Sequence, residues 1–197
     1  MSEGKPWIDP CGFNIDEISR KKIKISLKNH IPKIEEGIKN IIKRLTDLKK
    51  FMISTFNVNE ETLISQQYKF LNPPQNIRNI YIRAYHILQV NVMALVQMLK
   101  EYDNEDDYST KLENIKNHLR VLICELQPVL LSEGLKVEDV TEELMSEAFK
   151  NSRGSLMIVK HFVAIRQIDN NMKYLSDDFE KIQFISNEEL RNEQPSI

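Results

Sequence analysis

The chain has 197 residues, of which 41% are hydrophobic and five are glycine, and its formal net charge at pH 7 is -2. One domain with a single core suits this length, and so few glycines exclude an all-β fold with its many tight turns. The charge is divided unevenly, since residues 1–52 carry a net +5 and residues 53–197 a net -7. Because the basic residues are not interleaved with aromatic ones, nucleic acid is not an expected partner.

The strongest apolar pattern in the chain predicts a first helix over about residues 15–52. Within it, apolar side chains recur at alternating spacings of four and three residues, which places them on one face of a helix. These side chains are Leu27, Ile31, Ile34, Ile38, Ile41, Leu45, Leu48 and Met52. Asn14 and Glu17 have the spacing of a capping box at its start. Pro32 predicts either a kink near residues 30–33 or two helices in succession.

Three further amphipathic segments predict the other helices of a bundle. They cover about residues 74–102, 110–132 and 146–182, and a disordered tail is predicted over about residues 186–197. The connections between the four helices are long, short and long in turn. A short connection joins antiparallel neighbours, whereas a parallel neighbour needs a connection that returns along the whole bundle. The sequence therefore predicts one all-α domain over residues 1–197, an elongated four-helix bundle with up-up-down-down topology and two long crossover loops.

The two cysteines allow one intramolecular disulfide. Cys124 falls on the third predicted helix, roughly 165° from the core stripe at about 100° per residue, and so points outward. An outward free thiol is unusual, because free cysteine is among the most buried residue types. Cys11 lies in an extended segment with Trp7 and Phe13 that can cover the outer face of that helix. A Cys11–Cys124 bridge would imply an oxidising compartment; the alternative is two free thiols in the cytosol.

The sequence contains no recognisable pattern of catalytic or metal-ligating residues. His30, His86, His118 and His161 fall on separate predicted helices, and none has the Glu-x-x-His pairing of di-iron bundles. Gly-rich phosphate loops, nucleophile elbows and Cys-x-x-Cys pairs are also missing. We therefore expect no metal, no cofactor and no enzymatic activity. His161 is interpreted as a residue that borders the core.

Over nearly its whole length the chain resembles the long-chain four-helix cytokines, in particular the group of leukaemia inhibitory factor and oncostatin. An invertebrate relative such as the Unpaired-type ligands fits equally well. The resemblance rests on the loop lengths, on the cystine that would join the N-terminal segment to the third helix, and on the stretch Ala148-Phe149-Lys150-Asn151-Ser152-Arg153. In those cytokines an F-x-x-K motif at the start of the last helix contacts a signalling receptor chain. Phe149 matches the Phe, and Ser152 stands in the place of the Lys, flanked by Lys150 and Arg153.

Two surfaces are candidates for receptor binding. The resemblance implies that Phe149, Lys150 and Arg153 contact a receptor at the start of the last helix. The alternative for Phe149 is a core residue that closes the end of the bundle. The second candidate is the outer face of the first and third helices, and its residues are Lys39, Lys43, Lys116, Arg120 and Val121. The alternative for this second set is an ordinary solvated face.

Together these patterns predict a secreted, extracellular signalling ligand, a monomer when free, that binds a cell-surface cytokine receptor and brings receptor chains together. Its signal peptide is absent from the sequence and is expected to have been removed or replaced. No apolar run approaches the roughly 18 residues of a membrane span, so no membrane insertion is expected. The alternative is an intracellular helical-bundle adaptor or scaffold that binds another protein. A lipid-binding bundle is a third interpretation, disfavoured because the narrow apolar stripes can cover one another.

Overall fold

A computed structural model describes residues 5–8, 10–11, 27–151 and 154–192, without the side chains of residues 27–29 and 183–192. Within these ranges the chain is helical and contains no strand. The helices are α1 (Leu27–Phe56), α2 (Ile80–Glu101), α3 (Asp107–Ser132), the single turn α4 (Glu147–Lys150) and α5 (Ser155–Asn192). Short 3-10 turns lie in the connections, at Glu61–Leu63, Lys69–Leu71 and Glu142–Leu144. The predicted all-α class is confirmed.

Both α2 and α3 begin at residues other than those predicted, because stronger caps lie nearby. The prediction placed the start of α2 at about residue 74. Instead, the Asn79 side chain accepts hydrogen bonds from the backbone N–H groups of Tyr81 and Ile82. The start of α3 lies before the predicted one, because Asp106 and Ser109 form a reciprocal capping box. Each cap pairs backbone donors that the first turn of a helix leaves free.

The first and last helices also differ from their predicted bounds. Residues 15–26 of the first predicted helix lie outside the described residues. Helix α1 continues through Pro32 and ends at Phe56, beyond its predicted end. The last predicted helix is divided, because Gly154, between α4 and α5, has a positive φ of 62° that glycine adopts without strain. Helix α5 then continues to Asn192, past the start predicted for a disordered tail.

The long helices pack around one core. In α1 every member of the predicted stripe from Ile31 to Met52 is buried. Helix α1 packs against α3 and α5, and α2 packs against the same two helices. Gly37 allows a close approach of α1 to α3, because a Cβ atom there would lie 2.5 Å from Leu122 Cδ2. Among the described helices, none combines the length and the apolarity needed to cross a bilayer.

Contacts between the helices show their relative directions. Lys39 and Lys49 of α1 lie 3.8 and 2.6 Å from carboxylates of α5, those of Glu180 and Asp169 respectively. The residue numbers rise in one helix as they fall in the other, so α1 and α5 are antiparallel. The same opposition is found for α2 with α5 (Arg83–Asp178, Glu101–Lys160), for α1 with α3 (His30–Glu125, Phe56–Tyr108) and for α2 with α3 (Tyr85–Gln127, Tyr102–Tyr108).

The connection between α1 and α2 lies along α5, which holds it with polar side chains. Arg166 of α5 donates hydrogen bonds to the carbonyl oxygens of Leu63 at 2.7 Å and Gln66 at 2.6 Å. Gln167 accepts a bond from the Tyr68 N–H and donates one to the Tyr68 carbonyl oxygen. Irregular backbone must find such partners outside itself. The side chains of α5 therefore set the path of this connection.

An N-terminal segment of residues 5–8 and 10–11, called the strap below, contacts both α2 and α3. Cys11 of the strap and Cys124 of α3 are joined in a disulfide, as the sequence predicts, with Cα atoms 5.8 Å apart. This separation is normal for a disulfide. Trp7 is 2% exposed, and its Nε1 donates to the carbonyl oxygen of Val140 in the connection that follows α3.

Candidate functional site

At the start of α5, the turn α4, the connection after α1 and the end of α2 come together. Phe149 of α4 has no exposed surface, and its ring packs edge-on against Tyr68 and Phe70 with centroid distances of 4.9 Å to each. A ring in this position cannot contact a receptor. The structure thereby corrects the assignment of Phe149 to the receptor surface and supports the alternative, a core residue that closes the end of the bundle.

The two basic residues of the same predicted site differ in what the structure describes. Lys150 is partly exposed, and its Nζ lies 3.1 Å from the Glu147 carboxylate. The Lys150 carbonyl oxygen accepts a hydrogen bond from Gln97 of α2 at 3.1 Å, which ties α4 to that helix. Arg153 lies outside the described residues. Lys150 is therefore the member of this set that the structure places at the surface.

Lys160 is the residue at this end of the molecule that the sequence analysis missed. Its ammonium group contacts the Glu101 carboxylate, donates to the Phe149 carbonyl oxygen, and lies 4.8 Å from the centre of the Phe149 ring. The side chains of Lys160 and Glu101 are only 3% and 9% exposed. Lysine is almost never this buried without a partner. No local pattern marks it, because Glu101 lies on another helix.

The same buried cluster extends to α3 through His161, which lies inside the core and not at its border. The His161 Nδ1 is 2.9 Å from the Tyr108 hydroxyl, and its Nε2 is 3.5 Å from Glu101. Burial lowers the pKa of His161, although the hydrogen bond to Glu101 opposes this. Burial alone would raise the pKa of Glu101, but hydrogen bonds from His161, Lys160 and Gln97 hold it below its usual value. Glu101 is therefore ionised and His161 neutral at pH 7.

Lowering the pH from about 7.5 to about 5.5 should reduce the free energy of unfolding. Burial holds the pKa of His86 and of His161 below 6.5 in the native state. The unfolded chain therefore binds more protons as the pH falls through that value, and unfolding becomes more favourable. The stabilisation that comes from keeping these two histidines neutral is complete above pH 6.5. It is lost as the pH falls toward their lower pKa values in the native state. Urea unfolding at the two pH values, followed by circular dichroism, measures the change.

A double variant separates these histidines from the other titrating groups. In His86→Gln/His161→Gln the difference in unfolding free energy between the two pH values should be smaller than in the unchanged protein. An equal difference would contradict the assignment of the pH dependence to these two side chains.

Two exposed aliphatic side chains follow, in sequence, residues that line a groove at the start of α5. Ile64 and Leu156 are each 72% exposed. They directly follow Leu63 and Ser155, which line a groove of about 460 Å³ between the start of α5 and the connection after α1. The lining has no charged residue, and its apolar members are Phe56, Val58, Leu63, Ile158 and Val159. At 100° per residue, Leu156 lies about 160° from Ile158 on the helix. This angle is the signal by which the sequence could have identified Leu156 as an exposed residue.

Both basic residues predicted on the outer face of the first helix are exposed. Lys39 contacts Glu180 of α5 at 3.8 Å. Lys43 follows one helical turn later and lies on the same side of α1. The contact of α1 with α3 lies elsewhere on the helix, at residues such as Gly37.

Of the residues predicted on the third helix, Lys116 and Arg120 are half-buried and Val121 is exposed. Lys116 contacts Glu113 of its own helix. It shares a side of α3 with Gln127, because eleven residues at 100° return to within about 20°, and Gln127 donates to Tyr85 of α2. Arg120 follows Lys116 by one turn, whereas Val121 points outward and is exposed. Lys39, Lys43 and Val121 are exposed, and Lys116 and Arg120 are half-buried, so the second receptor surface stays a prediction.

Comparison of the chain with protein-family models, curated protein sequences and solved structures found no match. Within the described ranges, no group of three or more His, Cys, Asp or Glu side chains is placed to hold a metal ion. Ile64 and Leu156, together with the groove that their sequence neighbours line, are the candidate functional site, called the α5 surface below.

Proposed function

We propose that the protein is a secreted, cytokine-like signalling ligand, monomeric when free and without catalytic activity, that uses the α5 surface to bind a cell-surface receptor. The observation that carries the proposal is the exposure of Ile64 and Leu156, which directly follow two residues that line an uncharged groove. Large exposed apolar side chains near a pocket are typical of an interaction site. As the resemblance to the cytokines implies, Lys150 and Arg153 would add charged contacts to the receptor. A second surface would engage a second receptor chain, as the cytokine resemblance implies.

The proposed topology is up-up-down-down, which is found in the cytokine bundles that the sequence resembles. Support comes from the contacts that set α1 antiparallel to α3 and α5, and α2 antiparallel to the same two helices. With α1 and α2 parallel, the connection between them has to return along the bundle. The hydrogen bonds of Arg166 and Gln167 to this connection support such a path.

An extracellular location is supported by the Cys11–Cys124 disulfide. Disulfides form and persist in oxidising compartments and are rare in the cytosol. An intracellular adaptor would hold both cysteines as thiols. The disulfide therefore favours the ligand over the adaptor.

Replacing Leu156 with aspartate should weaken receptor binding by more than about 30-fold, or about 2 kcal/mol. The new carboxylate would lose its water on complex formation without gaining a partner. The fold should be unchanged, because the side chain is mostly exposed in the free protein. Surface plasmon resonance measures this, with the oxidised full-length chain immobilised and cytokine-receptor ectodomains from the source organism as the mobile partners.

Val121→Asp is the matched control, because Val121 is also an exposed aliphatic residue but lies on α3. Val121→Asp should bind as tightly as the unchanged protein to the receptor chain that Leu156→Asp binds more weakly. No binding of the unchanged protein to any ectodomain would contradict the proposed function. Equal binding by Leu156→Asp and the unchanged protein would exclude the α5 surface.

A further inference from the structure

The strap is held to the rest of the molecule by one covalent bond and a few weaker contacts. Trp7 Nε1 donates to the Val140 carbonyl oxygen at 3.0 Å. The Trp7 carbonyl oxygen accepts a hydrogen bond from Gln89 of α2 at 2.9 Å, and the Ile8 carbonyl oxygen accepts one from the Tyr85 hydroxyl at 3.2 Å. The strap thus joins α2 to the connection between α3 and α5.

The strap provides one of the hydrogen bonds that hold this connection in place. Val140 is buried near its middle, and its carbonyl oxygen is paired with the Trp7 indole. The connection then leads to Ser146, whose hydroxyl accepts from the Phe149 N–H and caps α4. A change at the strap therefore reaches the backbone that precedes α4.

Unlike the connection at Val140, the core of the long helices does not depend on a contact with the strap. Residues of α1 such as Ile38 and Leu45 are fully buried, and α1 packs on α3 and α5. The strap adds Trp7 to this core, and Ile8 packs against it. Cys11 and Cys124 are neither buried nor fully exposed, which leaves their bond open to attack by a small thiol.

We propose that the Cys11–Cys124 bond is a redox-controlled latch that holds the strap, and through Trp7 the connection at Val140, in place. A dithiol reductant opens it in two steps. One thiolate of the reductant attacks a sulfur of the bond, which breaks as a mixed disulfide forms, and the second thiol then displaces the protein sulfur. The reductant supplies two electrons and leaves as a disulfide, while Cys11 and Cys124 become thiols.

Opening the bond leaves the strap with hydrogen bonds that water can replace and with the burial of Trp7 and part of Ile8. The strap then leaves its slot, and the Val140 carbonyl oxygen loses its indole donor. The long helices stay packed, because their apolar stripes cover one another. This release does not involve a receptor, and only its consequence for binding at the α5 surface rests on the proposed function.

Tryptophan fluorescence tests the latch directly, because Trp7 is the only tryptophan in the chain. The full-length protein is compared in its oxidised form and after treatment with dithiothreitol, with free thiols counted in the native state. On reduction the emission should shift to longer wavelength and quenching by iodide should rise several-fold. Helical circular dichroism should be unchanged. Hydrogen exchange should accelerate around Val140 and stay slow in the core of α1.

The double variant Cys11→Ser/Cys124→Ser is the control for the reductant. It should show the emission of the reduced protein without any treatment and should not respond to dithiothreitol. Unchanged emission in a protein whose two thiols are both free would overturn the proposal, since the strap would then stay bound without the disulfide. A loss of helical signal together with the emission shift would also overturn it, because the bond would then hold the whole fold.

Discussion

Replacing Phe149 with alanine should lower the free energy of unfolding by about 3–5 kcal/mol. The ring has no exposed surface and packs edge-on against Tyr68 and Phe70. Its removal leaves a cavity that close-packed neighbours fill only in part. Lys160 also loses the ring that its ammonium group faces at 4.8 Å. Urea unfolding of the oxidised, full-length chain, followed by circular dichroism, measures the loss.

Leu156→Ala is the matched control for Phe149→Ala, because Leu156 is a large apolar residue of the same region that is mostly exposed. It should change the free energy of unfolding by no more than about 0.5 kcal/mol. Phe149→Leu should fall between the two, since it keeps part of the apolar volume. If Phe149→Ala were as stable as the unchanged protein, the ring would not be a core residue, and Phe149 would return to the set of receptor contacts.

Replacing Lys160 with methionine should cost about 3–5 kcal/mol of stability, because it leaves the Glu101 carboxylate buried without its ammonium partner. The two side chains are almost fully buried. Gln97 donates to the same carboxylate at 2.6 Å and offsets part of the loss. The Phe149 carbonyl oxygen also loses the donor that fastens α4 to α5. The same unfolding measurement, at pH 7, gives the size of the effect.

Two comparisons separate this buried pair from ordinary surface charge. Lys39→Met removes a partner from the exposed pair with Glu180 and should cost less than about 1 kcal/mol. The double variant Lys160→Met/Glu101→Leu should recover most of the loss, because it leaves no unpaired charge in the core. A double variant as unstable as the sum of the two single variants would show that the charges are not coupled, contrary to the geometry.

Helix periodicity by itself determined the all-α class and the main core stripes. In α1 the spacing of three and four residues identified Ile31 to Met52, and each member of that stripe is buried. The angle of Cys124 on its helix pointed to a partner outside the bundle core, and Cys11 is that partner. These inferences succeed because they depend only on the repeat of one helix, which about 100° per residue sets everywhere.

Helix boundaries were harder to predict, because several residues near each end can act as a cap. For α2 the sequence offers both Asn72 before the proline pair and Asn79 further on, and the helix begins after Asn79. The cap that forms is the one compatible with the path of the preceding connection along α5, which residues distant in sequence set through Arg166 and Gln167.

The surroundings of single side chains were decided only by tertiary structure. Phe149 lies outside the long helices, so no periodicity reports on it, and the rings that bury it come from the connection after α1. Lys160 has the sequence character of a solvated residue, but the packing of α5 on α2 brings Glu101 beside it. Periodicity specifies an angle within one helix, whereas burial and partnership depend on how separate helices are rotated and which connections cover their ends.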